Sequence, residues 1–215
     1  MKTTLIFEDD SVAVVEKPAG LLTMATDTER TRTVYAELRA YANRKRPPEK
    51  IFIVHRLDRE ASGLLVFAKT IEAKEYLQSQ FKDHSAGRRY IAVVEGRVSP
   101  GDFSIRSHLA ENAAYRAYST KKTGAGKPAV THIHVLKQGP KTSVLEVRLE
   151  TGRKHQIRVH LAERGHAIVG DLIYGSRHNP IRRIALHGAW LEFRHPRTGK
   201  TMHFQSPPPN VFDRL

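Results

Sequence analysis

His55-Arg56-Leu57-Asp58-Arg59-Glu60-Ala61-Ser62-Gly63 is the stretch on which both the fold and the chemistry turn. Two apolar runs flank it, Ile51-Phe52-Ile53-Val54 before and Leu64-Leu65-Val66-Phe67-Ala68 after. Both have the length and the β-branched or aromatic content of buried strands. A charged turn between buried strands sits at the edge of a core, where side chains are held firmly yet meet solvent. Asp58 follows Arg56 at one remove and directly precedes Arg59. Cations within a few Å keep a carboxylate ionised and lower its pKa by roughly 1–3 units. Taken alone, the pattern also fits a turn aspartate bonded to its own backbone.

Outward from that stretch, the chain has 215 residues, enough for one domain with a sizeable core, and a single domain over 1–215 is expected. Hydrophobic residues make up 40% and the net charge is +14. So basic a balance points to a polyanionic partner, RNA or DNA before a membrane surface. There is no cysteine, which excludes disulfides, thiolate zinc sites and cysteine nucleophiles. The first ten residues carry too short an apolar run for a signal peptide. No run reaches the ~18 apolar residues of a membrane span, so a cytoplasmic protein is expected.

Leu5-Ile6-Phe7 and Val12-Ala13-Val14-Val15 read as strands around an Asp9-Asp10-Ser11 turn. Glu16-Lys17-Pro18-Ala19-Gly20 stops the second, since proline lacks the ladder donor. Val34, Leu38 and Tyr41 share a helical face behind a Thr33 cap, as do Ala73, Tyr76, Leu77 and Phe81 behind Thr70. Arg88 to Gly96 reads as a strand apolar on both faces, with Tyr90 in the core. Residues 97–128 read as less regular. They mix Arg106, Arg116, Lys121, Lys122 and Lys127 with Tyr115 and Tyr118, a blend that suits RNA because cations meet phosphates and rings stack on splayed bases. The loop with Arg177, Arg182 and Arg183 is basic as well. A P-loop reading of 121–128 fails, because Lys121 replaces its first glycine and Pro128 its Ser or Thr. His132–Leu136 and Ser143–Leu149 read as a hairpin about Gly139-Pro140. Thr151 is the expected cap of a three-turn helix ending at Gly165. Arg158 lies between Ile157 and Val159, so its stem is expected near the core, where a guanidinium needs an anionic partner. His155, His160 and His166 are five and six apart and share no helical face well, which argues against a metal site.

These motifs together resemble the RluA-type pseudouridine synthases. The match runs through Lys17-Pro18-Ala19-Gly20, His55-Arg56-Leu57-Asp58 into Leu64-Leu65-Val66-Phe67-Ala68-Lys69-Thr70, Arg89-Tyr90-Ile91-Ala92, Thr151-Gly152-Arg153-Lys154-His155-Gln156-Ile157-Arg158, and Ala185-Leu186-His187-Gly188. It departs at Ala61, where the family usually has threonine. The resemblance implies an α+β fold with a mixed, mainly antiparallel sheet and flanking helices. It implies Asp58 as the essential catalytic carboxylate, Tyr90 stacked on the target base, and Arg158 paired with Asp58. Arg56 would contact RNA and fill the gap left by the flipped base. Leu186 would pack beside the uracil, and Lys17 would support the site structurally. Lys121 and Lys122 are candidate phosphate contacts.

The implied reaction isomerises uridine in transfer or ribosomal RNA: N1–C1′ breaks, the uracil turns, and C5 bonds to C1′. It requires no metal and no nucleotide cofactor. Asp58 attacks C1′, adds to C6, or takes a proton from C2′, and the sequence leaves these three open. A monomer without an obligate protein partner is expected, and an appended RNA-binding domain is not. The rival readings are a non-catalytic RNA-binding module and a metal-dependent hydrolase. The first should have lost the aspartate, and the second needs the histidines on one face.

Overall fold

A computed structural model describes residues 2–122 and 124–215. Among these the chain forms eleven strands and three α-helices, and its backbone separates into two compact units, Met1–Arg88 with Gly188–Pro207 and Arg89–His187 with Pro208–Leu215. No helix is long and apolar enough to cross a membrane.

In the first unit, β1 (Thr4–Glu8) and β2 (Val12–Lys17) form a hairpin. Its turn is built by Asp9, whose carboxylate accepts from Ser11 N and Val12 N at 2.8 and 2.9 Å. β2 pairs antiparallel with β4 (Ser62–Ala68), all seven of whose residues are buried. The expected strand before the central loop shrinks to β3 (Phe52–Ile53). β10 (Leu186–Arg194), from Gly188 onward, and β11 (Thr201–Gln205) complete the unit's sheet. Helices α1 (Val34–Ala42) and α2 (Ile71–Lys82) start where expected, because Thr33 and Thr70 accept from Ala36 N and Ala73 N. Two tyrosines expected to face the core do not. Tyr41 donates to Glu8 at 2.9 Å, and Tyr76 is exposed. Val12, Val14, Leu64, Val66, Leu77, Leu191 and Phe193 make the core.

In the second unit the antiparallel order is β5 (Gly87–Glu95), β9 (Thr142–Leu149), β8 (Lys127–Gln138), β6 (Asp102–Glu111), β7 (Ala117–Thr120). The 97–128 segment, read as less regular, thus holds strands β6 and β7. Phe103, Ile105, Ser107 and Leu109 alternate inward against exposed Asp102, Ser104, Arg106 and His108, a two-residue period masked by its polar half. Helix α3 (Gln156–Glu163) starts later than expected, after His155 at φ 53°. Thr151 does not cap it: its hydroxyl accepts from Val130 N and donates to Gln156 Oε1 at 2.9 and 2.7 Å. Gly165 at φ +81° does end it.

One glycine of the central motif has no substitute. Gly63 sits at φ +124°, and a Cβ there would lie 2.4 Å from the backbone N and O of Gly188 on β10. Gly63→Ala should therefore destabilise the protein by about 2–4 kcal/mol, from backbone strain together with overpacking. Urea unfolding monitored by circular dichroism checks this, and an unshifted midpoint would contradict it.

Candidate active site

Asp58 sits on a loop that is tied down on both sides. Before it, the buried Thr23 hydroxyl donates to Leu57 O at 3.0 Å and accepts from Leu57 N at 3.2 Å. After it, Arg59 O accepts from Gly20 N at 2.8 Å. The same carbonyl, with Pro18 O and Ala61 O, accepts from the ammonium of Lys17 at 3.0, 3.0 and 2.6 Å. Lys17 is fully buried. A lysine has three N–H donors, and three carbonyls face them here. Two belong to the Asp58 loop, more than forty residues along the chain. The Lys-Pro-Ala-Gly segment thus supports the loop, as its sequence suggests. Ala61, where the family usually has threonine, is itself buried. Arg56 and Arg59 point outward and are exposed.

His55, first residue of the motif, is a packing group and not a proton carrier near neutrality. Its ring stacks on Phe81 with centroids 4.4 Å apart, and Arg88 lies over Phe81 at 5.1 Å. Nε2 accepts from Val66 N at 3.2 Å, which places the proton on Nδ1, a buried atom without a partner among the described residues. The residue keeps some surface at its edge, but its ring nitrogens are shut away from water. Burial pushes its pKa down to about 3, with the Arg88 charge adding to the effect. The imidazole is therefore neutral near pH 7.

In the second unit Arg158 has only 1% of its surface exposed and forks onto Asp171, with Nε to Oδ2 at 2.6 Å and Nη2 to Oδ1 at 2.9 Å. Its guanidinium also lies 5.0 Å from the Tyr174 ring. Burial is what the flanking Ile157 and Val159 predict, and Asp171 is an anion that sequence reading missed. The two lie thirteen residues apart. The Gly170-Asp171 pair just after the helix was the available signal. Tyr90 is buried on β5 opposite Val147. Leu186 is buried at the start of β10, and Arg183 donates to its carbonyl at 3.1 Å and to Ile184 O at 3.0 Å while lying over Phe212. Arg183, expected among the phosphate contacts, thus serves the backbone that carries Leu186. Lys121 and Lys122 are exposed on the turn between β7 and β8. The histidines are each engaged separately. His155 shares a hydrogen bond with Tyr174, His160 bonds Thr131 and Ser107, and His166 donates to Glu95 O.

The Lys17 ammonium is the strut under Asp58. Lys17→Met should leave buried carbonyls unsatisfied and cost about 2–4 kcal/mol. Lys17→Arg should not restore it, because a planar fork cannot meet three converging oxygens. Thermal unfolding of both variants tests this, and parent-like stability in Lys17→Met would contradict it.

Residues 11–163 match the family described as RNA pseudouridylate synthase. The chain is 38% identical, over 98% of its length, to a ribosomal large subunit pseudouridine synthase D of Neisseria meningitidis, of which it covers 59%. It is 37% identical to the protein of the same name from Zymomonas mobilis, covering 98% of this chain and 71% of that one. The chain thus spans about three fifths of the length of the Neisseria relative. Among solved structures, human RNA pseudouridylate synthase domain containing 4 shares the fold, with a TM-score of 0.79 at 20% identity, over 98% of this chain and 90% of that one. The expected α+β architecture is the fold observed. With its motifs, its family match and relatives of this similarity, the chain belongs to the RluA-type RNA pseudouridylate synthases.

Proposed function

We propose that the protein isomerises uridine to pseudouridine in ribosomal RNA, with Asp58 as the essential carboxylate. The observation that carries this reading is the rigid mounting of Asp58, between Leu57 held by Thr23 and Arg59 held by Gly20 and Lys17. A group that must meet one sugar or base atom needs such fixation. The names of the bacterial relatives, ribosomal large subunit pseudouridine synthases, support ribosomal over transfer RNA as substrate, and with it a cytoplasmic enzyme.

In this reading a flipped uridine is held out of its stack at a cost of a few kcal/mol. N1–C1′ breaks, the uracil rotates, C5 bonds to C1′, and the C5 proton leaves while N1 gains one. Tyr90 stacks on the uracil and Leu186 packs beside it. Arg158 orients the Asp58 carboxylate, and Arg56 fills the gap in the RNA. Lys121 and Lys122 bind phosphates, which offsets the cost of flipping.

Asp58→Asn keeps the shape and removes the charge. It should form no measurable pseudouridine in digested RNA analysed by chromatography, with RNA binding and folding retained. Turnover within about tenfold of the parent, less than 1.4 kcal/mol of barrier, would refute the assignment. Replacing Lys121 and Lys122 by Ala should flatten the slope of log K against log salt by up to about two phosphate contacts, at roughly −0.7 each for single strands. The single-turnover rate of bound RNA should hardly change. An unchanged slope with a collapsed rate would show that these lysines serve the chemistry instead.

A further inference from the structure

The second unit contains a cavity of about 970 Å³ lined by none of the residues assigned to the reaction. It lies among the end of β5, the turn between β8 and β9, and the segment after α3. Its volume is at the upper end of the ~300–1,000 Å³ of small-molecule sites. Lys141, Arg177 and Arg214 stand exposed around it. Glu95 supplies the one side-chain carboxylate in the lining, and one of its oxygens is held by the rim. Its Oε1 accepts from Ser176 Oγ, Arg177 N and His178 N at 2.7, 2.8 and 3.2 Å. Burial works against its ionisation, but these donors prevail and hold its pKa below the ordinary value. Three side-chain cations therefore face one side-chain carboxylate, and the cavity carries a net positive side-chain charge.

Its walls are set before any ligand arrives. Glu95 fixes the rim at residues 176–178. Gly96 N donates to Lys141 O at 2.8 Å, and His166 Nδ1 donates to Glu95 O at 3.0 Å. Between the cations, Pro140, Val169 and Pro180 give an apolar surface. Cations alone would suit any anion. Cations around an apolar wall of this size suit a phosphate carrying a ring.

We propose that this cavity is a nucleotide-binding subsite, with the phosphate on Lys141, Arg177 and Arg214 and the base against the apolar wall. The nucleotide comes either from the RNA, at a position other than the reacting uridine, or from free nucleotide. The RNA source rests on the function proposed above; the test reads binding, so its failure leaves the isomerase reading intact.

The test follows the imidazole resonances of His166 and His178 in the full chain. It uses two probes, uridine 5′-monophosphate and a short single-stranded RNA oligonucleotide. The expected result is saturable movement of both resonances, with affinity weakened by at least about tenfold in Lys141→Glu/Arg214→Glu, since two charge-assisted bonds are lost. Lys200→Glu, an exposed lysine outside the lining, should leave the affinity unchanged. Movement with the oligonucleotide alone assigns the subsite to substrate RNA, and movement with the mononucleotide assigns it to free nucleotide. If neither probe moves the two histidines, or if the double variant binds as the parent does, the subsite is refuted.

Discussion

A lysine ammonium without access to water organises the first unit. Left unpaired in an apolar interior it would deprotonate or drag the chain open. Lys17 instead faces the carbonyls of Pro18, Arg59 and Ala61. Carbonyl oxygens are fixed to the backbone, so satisfying the ammonium fixes the chain on either side of Glu60. The Gly20 and Thr23 bonds extend the same hold back through Leu57. Asp58 therefore rides on a loop with little freedom, although its neighbours Arg56 and Arg59 are solvated. The buried β4, which accepts no larger residue than glycine at position 63, continues directly from that loop.

The second unit solves a similar problem with the opposite geometry. The Arg158 guanidinium is planar and meets the Asp171 carboxylate fork to fork, which suits arginine as three converging oxygens suit lysine. Such a pair is weak evidence for net stability, because desolvating two charges costs nearly what their attraction returns. Its value lies in orientation. The guanidinium is fixed in plane and position, with Tyr174 against it, and a fixed cation costs no reorganisation when it acts.

What was legible in the sequence was local. Thr33 and Thr70 cap their helices because a cap bonds only three residues ahead. The doubly buried β4 and β5 show as apolar runs, and burial of Arg158 follows from its neighbours. Asp58, Tyr90, Arg158 and Leu186 were picked out by the family resemblance, since spacing alone allowed a turn aspartate and a core tyrosine. The misses were non-local or disguised. The partners of Lys17 lie more than forty residues away. Strand β6 hides its period behind Ser107 on the inner face and a charged outer one. The start of α3 is delayed by a left-handed His155 that no propensity announces. Asp171 was passed over because one carboxylate had already been assigned to Arg158.

The proposed reaction removes the C5 hydrogen of uridine in RNA and joins C5 to the sugar. Tritium release from large-subunit ribosomal RNA labelled at uridine C5 tests it most directly, with labelled transfer RNA run beside it, because every turnover must lose that hydrogen. The expected result is release from ribosomal RNA that equals the pseudouridine formed. Bound ribosomal RNA that neither releases tritium nor gains pseudouridine would contradict the account.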